Sequence, residues 1–521
     1  MKILIADALS KQAEEVFRAR GVAVDVKTGL TEDELTKIIP AYAGVAVRSA
    51  AKITANIIAA AKSLKVIGRA GAGVDTVDVK AATQSGVIVM NTPFGNSITT
   101  AEHTVAMMMA LARHIPQANA STHAGKWEKS KFTGTELYGK TLGLVGCGNI
   151  GSIVADRAVG LKMKVLAYDP FLSPERALEL GVEATTLDDI YARSDFISLH
   201  TPMLDSTRGM INAETMGKMK KGVRLLNIAR GGLIVEDDLK AALDSGQVAG
   251  AAIDVYVTEP AKENVLFNDP RVICTPHLGA ATAEAQDTCA IQIAEQMCDF
   301  LLQGAVTNAV NMPNITAEEA PRLQPYIKLA TQLGRMGGQM AVKPHRITVT
   351  YRGAAAELNT KPVTAALLAA LLGVTHASVN MVNARQVAQQ AGLEIIEATQ
   401  EALSNYQTLL DVQIDNGVSV RLSGTLFSNQ PRLVRVDDIA MEAELAGTML
   451  MVRNIDAPGH IGRLGSLLGD NSINIGSFHL GRNQKDGQAV SLVEVDGAVN
   501  DNLLKKIAAL PNVSEAQVLQ F

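Results

Sequence analysis

Short apolar runs rich in Val and Ile recur from the start of the chain, at residues 3–6, 23–26, 45–48, 66–69 and 87–91, with amphipathic helical stretches between them. Uniformly apolar runs suit strands buried on both faces, and their alternation with helices predicts a parallel, doubly wound α/β sheet. A second series follows at 141–145, 164–168, 196–200, 225–228, 250–254 and 272–275. Two tandem Rossmann/flavodoxin-like units are expected. Residues 97–118 read as one helix joining them, and residues 284–303 as a helix returning to the first unit.

The pattern changes after Asn308-Ala309-Val310-Asn311-Met312-Pro313. Helical segments near 325–336 and 364–372 and alternating strands near 346–352 predict an α+β unit. The last stretch reads strand 448–453, helix 460–468, strands 474–480 and 489–495, helix 502–509 and strand 513–521. That order is the split, ferredoxin-like βαββαβ unit. The expected divisions are 1–98 together with 284–314, then 99–283, 317–447 and 448–521.

Composition narrows the function class. A net charge of -5 on 521 residues, 19% of them charged, with no Lys/Arg-rich stretch, excludes nucleic acid and anionic membrane surfaces as expected partners and favours small molecules. The most apolar helical stretch, 105–112, is bounded by His103 and Arg113 and is too short to cross a bilayer. Met1-Lys2-Ile3-Leu4-Ile5-Ala6-Asp7 turns polar too soon for a signal peptide. The four cysteines, Cys147, Cys274, Cys289 and Cys298, show no disulfide framework or metal-ligand spacing, so no metal site is expected and the cytoplasm is. Cys289 and Cys298 fall in a helical pattern and are expected to pack.

Candidate chemistry begins at Gly146-Cys147-Gly148-Asn149-Ile150-Gly151, between a strand and a helix. Glycines there permit a tight turn and close approach of a pyrophosphate, and the helix N-terminus offers N–H groups and the positive dipole end. Asp169 ends the next strand, where it would accept hydrogen bonds from ribose hydroxyls. Pro170-Phe171-Leu172 supply no cation for a 2′-phosphate, which favours NAD over NADP. Arg230, Asp254, Glu259 and His277 all lie at or just past the C-terminal ends of strands in this unit, where open α/β sheets bind ligands. An Arg holds a carboxylate through two parallel hydrogen bonds, a His exchanges a hydroxyl proton near neutral pH, and a Glu orients that His. The set suits hydride and proton transfer on a 2-hydroxy acid.

The motifs GCGNIG, NIARGG, AAIDVY, TEP and TPHLGA resemble, one after another, those of the D-isomer-specific 2-hydroxyacid dehydrogenase family. The resemblance implies catalytic roles for Arg230, Glu259 and His277, with NAD contacts at Asn149, Ile150, Asp169, Thr201, Ile228, Ala229, Arg230, Asp254, His277, Leu278, Gly279 and Ala280. The run Arg453-Asn454-Ile455-Asp456-Ala457-Pro458-Gly459-His460-Ile461-Gly462 resembles an ACT domain, an amino-acid-binding regulatory module. Ser423-Gly424-Thr425-Leu426 resembles part of an intervening, substrate-binding-like domain.

Over its whole length the chain therefore resembles the long form of the D-3-phosphoglycerate dehydrogenase family. That likeness implies a substrate-binding domain in 1–98 and 284–314, an NAD-binding domain in 99–283, an intervening domain in 317–447 and an ACT domain in 448–521. It also implies oxidation of 3-phospho-D-glycerate, with Arg48 on the phosphate and Arg69 and Asn96 beside it. Lys129, where relatives can carry Arg, would reach a neighbouring subunit's substrate. L-serine would act as effector through Asn454, Asp456 and Asn474, with reduction of 2-oxoglutarate as a side activity. A homo-oligomer is expected, because the connecting helix carries more apolar surface than one domain covers. The alternatives are a glyoxylate or hydroxypyruvate reductase and a non-catalytic, NAD-sensing corepressor-like protein.

Overall fold

The structure, a computed structural model, describes residues 1–341, 343–400 and 406–521. Its first sheet is formed by β1 (Lys2–Ile5), β2 (Ala23–Val26), β3 (Gly44–Val47), β4 (Val66–Arg69) and β5 (Ile88–Asn91), all parallel, in the order β2-β1-β3-β4-β5. All four residues of β3 are buried, as a strand covered on both faces requires. The helix Ala283–Gln303 returns to this sheet. A side chain at Gly44 or Gly68 would strike Met297 of that helix, so glycine permits the close packing.

The second sheet contains β6 (Thr141–Val145), β7 (Lys164–Tyr168), β8 (Glu183–Ala184), β9 (Phe196–Leu199), β10 (Val223–Asn227), β11 (Val248–Ile253) and β12 (Val272–Cys274). Its order, β12-β11-β10-β9-β6-β7-β8, reverses between β6 and β9, and all its pairs are parallel. The first sheet reverses in the same way between β1 and β3. Loops on either side of such a switch point diverge and leave a crevice beyond the strand ends.

The single helix expected over 97–118 is instead two, Ser97–Arg113 and Ile115–His123, broken at His114 with φ 54°. Pro116 is the cause: it has no N–H to give the Ala112 carbonyl four residues earlier. That carbonyl accepts from Thr135 N at 2.9 Å instead.

Over 317–447 the sequence pattern had outlined strands only near 346–352, whereas the structure holds a six-stranded sheet. It comprises β13 (Arg346–Gly353), β14 (Glu394–Gln400), β15 (Thr408–Asp415), β16 (Ser419–Phe427), β17 (Gln430–Val436) and β18 (Ile439–Ala443), in the order β14-β13-β15-β16-β17-β18. Two helices, Ala320–Met340 and Thr360–Gly373, pack closely because side chains at Gly334 and Gly338 would collide with the Leu367 and Leu371 carbonyls. The last unit has the expected order: β19 (Thr448–Ile455), helix His460–Asp470, β20 (Asn474–Arg482), β21 (Gln488–Asp496), helix Asp501–Ala508 and β22 (Val513–Gln520). Its sheet is antiparallel, ordered β20-β21-β19-β22.

One apolar core runs from Ile3 and Met90 through Met297, Leu329 and Ile414 to Met449 and Leu519. The second sheet has separate cores on its two faces. Gly334→Val is expected to lower the thermal midpoint, by about 1–3 kcal/mol of overpacking. Unfolding followed by circular dichroism on the full chain checks this, and an unchanged midpoint would remove the close-packing role of Gly334.

Candidate active site

A cleft of about 1030 Å³ opens where the C-terminal ends of the two parallel sheets face each other. The second sheet contributes the loops after β6, β9, β10, β11 and β12, and the first contributes those after β3, β4 and β5. Glycine shapes the wall at three points. Gly146, at φ 96°, lies 2.5 Å from the His200 carbonyl as measured from the position a Cβ would take. A side chain at Gly151 would strike the Gly146 carbonyl, which fixes the helix Asn149–Gly160 close to its strand. A Cβ at Gly148 would meet nothing within 4 Å, so the helix N-terminus there opens onto free space. These residues fit a pyrophosphate group. Asp169 lies behind the same loop, accepting from Cys147 N and Phe171 N, each at 2.8 Å.

His277 and Glu259 meet as their strand ends suggested, with His277 Nδ1 2.7 Å from Glu259 Oε2. Tyr256 N–H donates to the other Glu259 oxygen at 3.0 Å. Burial alone would raise the Glu259 carboxyl, but these bonds outweigh it and hold the group below the usual glutamate range. An ionised carboxylate only accepts, so Nδ1 carries the proton and donates, which leaves Nε2 free.

Arg230 reaches the cleft from the loop after β10. Its Nη1 donates to the Ala229 carbonyl at 2.7 Å, and its Nε lies 3.2 Å from Asp75 Oδ2. The loop can approach because a side chain at Gly231 would collide with the Tyr256 carbonyl, and one at Gly73 with Arg230 itself.

Arg48, Arg69 and Asn96 line the opposite wall. Burial, then the charge of Arg230, lowers Arg69 from the ordinary guanidinium value, and among the described residues Arg69 has no ion-pair partner. Asn96 Oδ1 is buried without a hydrogen-bond partner. Arg48 and Arg69 here and Arg230 across from them, with Asp75 paired to Arg230, make this part of the cleft an anion seat.

Asn149, Ile150, Thr201, Ile228, Ala229, Gly279 and Ala280 also line the cleft. Asp254, expected to touch the cofactor, is not among the residues that line the cleft. It is fully buried, and its oxygens accept from Thr275 Oγ1 (2.6 Å), Leu278 N (2.7 Å) and Gly279 N (2.9 Å). His103 Nε2 lies 3.5 Å away. Burial would raise this carboxyl, yet the bonds from His103, Thr275 and the two N–H groups hold it low. Asp254 thus shapes the loop that carries His277, and Leu278 contributes its N–H to that arrangement rather than a cleft wall. Lys129 sits exposed in a short helical turn outside the cleft of its own chain.

A second pocket, of about 340 Å³, lies at the N-terminus of the helix His460–Asp470. Asn454 and Asp456 line it as expected. Buried Asn454 Oδ1 and both ring nitrogens of buried His460 have no hydrogen-bond partner, and Asp456 Oδ2 accepts from Arg482 Nη1 at 2.6 Å. Asn474, expected with them, lies off this pocket and donates to Asp496 Oδ2 at 2.8 Å.

Sequence reasoning missed Asp75, Tyr256, Gln286 and Cys289 as cleft residues. Tyr256 stands inside the AAIDVY motif already singled out, so there the signal was present. Gln286 and Cys289 read as ordinary positions of an amphipathic helix.

Two family models match the chain: the D-isomer specific 2-hydroxyacid dehydrogenase NAD binding domain over residues 105–279, and the D-3-phosphoglycerate dehydrogenase intervening domain over residues 322–437. The chain is 42% identical to a D-3-phosphoglycerate dehydrogenase of Synechocystis sp., over 100% of this chain and 95% of the relative. It is 40% identical to one of Archaeoglobus fulgidus, over 100% of both. Among solved structures it resembles an NAD+-bound 3-phosphoglycerate dehydrogenase of Entamoeba histolytica, with 31% identity and TM-score 0.52 over 60% of this chain and 98% of that one. It also resembles a glyoxylate reductase of Paecilomyes thermophila, with 30% identity and TM-score 0.55 over 59% and 97%.

His200, on the cleft wall, donates to or accepts from Ser198 Oγ at 2.9 Å, and burial pushes its pKa down from 6.5 to about 4. It is neutral when folded and binds a proton more readily when unfolded. Its contribution is therefore fully present above pH 6.5 and is lost as the pH falls toward 4, by at most about 3 kcal/mol. Thermal midpoints at pH 7.5 and pH 5 are expected to converge in His200→Gln relative to the parent, and equal pH dependence in both would refute the burial effect.

Proposed function

The chain belongs to the D-3-phosphoglycerate dehydrogenase family, an NAD-dependent oxidoreductase by that membership, and from this premise we propose that its cleft oxidises 3-phospho-D-glycerate to 3-phosphooxypyruvate. The observation that carries the reading is the 2.7 Å His277–Glu259 pair in one cleft with Arg230 and, across from it, Arg48 and Arg69. NAD supplies the hydride acceptor for C2 when bound. His277 Nε2 takes the C2 hydroxyl proton, and the Glu259 carboxylate stabilises the imidazolium that forms. Arg230 holds the C1 carboxylate and polarises the C2 oxygen. Its tie to Asp75 orients the guanidinium, and Arg48 with Arg69 offers the phosphate two cations.

On this reading residues 1–98 and 284–314 form the substrate-binding half, 99–283 the NAD-binding half, 317–447 the intervening domain and 448–521 the regulatory ACT domain. The small pocket receives L-serine, its carboxylate at the helix N-terminus and its amine at Asp456. Exposed Ile98, Ile115 and Trp127, on or near the helix that joins the halves, support a homo-oligomer, in which Lys129 reaches a neighbouring cleft. The four cysteines are free in the structure, which suits the reducing cytoplasm.

His277→Ala is expected to lower kcat by roughly 10²- to 10⁴-fold while leaving NAD binding intact. Steady-state kinetics with 3-phosphoglycerate test this, and near-parental turnover would sink the acid–base assignment. Glyoxylate and 2-oxoglutarate, assayed alongside, are expected to be poorer substrates, as neither carries a phosphate for Arg48 and Arg69. L-serine is expected to reduce turnover of the parent and not of Asp456→Ala. An equal response from both would detach the small pocket from regulation.

A further inference from the structure

We propose that Asp7 is a positioning residue for the reaction, setting the place of the Arg48 guanidinium in the cleft by fixing the main chain on which Arg48 stands. The proposal rests on the reading of Arg48 as the substrate's phosphate contact. It adds a residue with no side-chain atom on the cleft wall.

Asp7 follows β1 and Arg48 follows β3, the two strands between which the first sheet reverses direction. Their loops leave the same edge and start to diverge there, so the sheet ladder no longer satisfies the N–H groups of the β3 loop. Asp7 satisfies them. Its Oδ2 accepts from Arg48 N at 3.1 Å, Ala50 N at 2.8 Å and Ala51 N at 3.1 Å, while Oδ1 accepts from Ala8 N at 2.8 Å. The side chain is buried, and no Lys or Arg is paired with it among the described residues. Among the described residues four backbone N–H groups are thus its whole set of partners, as in an anion held by a nest of main-chain dipoles.

The other side of Arg48 is held as well. Its carbonyl accepts from Arg69 Nε at 3.1 Å and from Thr76 Oγ1 at 3.3 Å. The main chain of Arg48 is therefore bonded at both its donor and its acceptor, whereas its guanidinium has no protein partner among the described residues and lines the cleft. This is the arrangement expected of a cation whose partner is a ligand: a fixed base and a free head. The carbonyl bond also couples the two arginines, since Arg69 Nε is oriented by the residue that carries the other cation.

Asn at position 7 keeps the shape and removes one acceptor. Whichever way its amide turns, an NH2 group faces either the Ala8 N–H or the three N–H groups of the Arg48 loop. The loop must shift to relieve the conflict, and Arg48 moves with it. A displacement of about 1 Å in a substrate-holding group can cost up to 10²-fold in kcat/KM.

The test is a double-mutant cycle on the full-length protein, with 3-phospho-D-glycerate and NAD+ varied separately. Asp7→Asn is expected to raise KM for phosphoglycerate about 10-fold or more, leave KM for NAD+ near the parental value, and add nothing further when placed on Arg48→Gln. An effect of equal size in the Arg48→Gln background would overturn the proposal, since Asp7 would then act by a general structural route. If Arg48→Gln itself leaves KM for phosphoglycerate unchanged, the reading of Arg48 fails and the proposal fails with it. If Arg48→Gln raises KM and Asp7→Asn does not, only the proposal fails. Should Asp7→Asn not fold, Thr76→Val, which loosens the same main chain from the carbonyl side, takes its place in the cycle with the same expected non-additivity.

Discussion

A parallel sheet delivers all its strand ends to one edge, and the backbone N–H groups just past that edge have lost their ladder partners. The cleft depends on how this chain satisfies them. Carboxylates at strand ends do it three times: Asp7 after β1, Asp169 after β7 and Asp254 after β11. Each accepts from backbone N–H groups of a loop that lines the cleft: Arg48, Ala50 and Ala51 for the first, Cys147 for the second, Leu278 and Gly279 for the third. A carboxylate suits the task because two oxygens offer about four acceptor sites, and each N–H that points at them favours the charged form. Asp254 shows the balance: fully buried, it still stays below the usual aspartate range.

This bonding lets the reactive groups sit on loops and still be held in place by hydrogen bonds. His277 has a left-handed backbone, φ 56°, a conformation that L side chains seldom adopt and that the Asp254 bonds on either side impose. The imidazole is then turned toward Glu259, whose other oxygen is held by the Tyr256 N–H. Tyr256 in turn donates its hydroxyl to the Ile253 and Thr275 carbonyls, so the Glu259 turn and the His277 loop share one anchor. Among the arginines of the cleft the positive charge is only partly compensated: Asp75 balances Arg230, while Arg48 and Arg69, across from it, have no ion-pair partner among the described residues. A dianionic substrate completes that account of charge better than a monoanionic one.

How much of this the sequence declared depends on the range over which each feature is decided. Strands such as Thr141–Val145 and Val66–Arg69 were legible to the residue because a strand buried on both faces is an apolar run with polar ends. Arg230, Glu259 and His277 were legible because each follows such a run. The break at His114 was not, since the apolar pattern passes through it and the cause, Pro116, acts on a carbonyl four residues back that Thr135 then rescues. Strand Glu394–Gln400, mostly exposed at a sheet edge and with an Ile on each face, has no apolar period to read. Asp254 was recognised by its motif without its partners: position in the chain showed that it ends a strand, but not that three neighbours would bond to its oxygens. Asp7 required two residues 41 apart to be seen together.

The cores add a mechanical consequence to the chemical one. The second sheet keeps its own apolar interiors, whereas a single packed core joins Ile3 of the first sheet to Met449 and Leu519 of the last unit. Close-packed interiors transmit displacement because they have no slack in which to absorb it. Between the small pocket and the first sheet the packing is unbroken in this sense: Gly481, flanked in β20 by the pocket residues Leu480 and Arg482, abuts the Ala440 carbonyl of β18, and the intervening unit reaches the first sheet where Asn380 and Asn383 donate to the Gly86 and Gln84 carbonyls at 2.8 and 3.2 Å. The half that carries Arg48 and Arg69 is therefore the half packed to the C-terminal unit and its small pocket, and the cleft is the seam where that body meets one with separate cores.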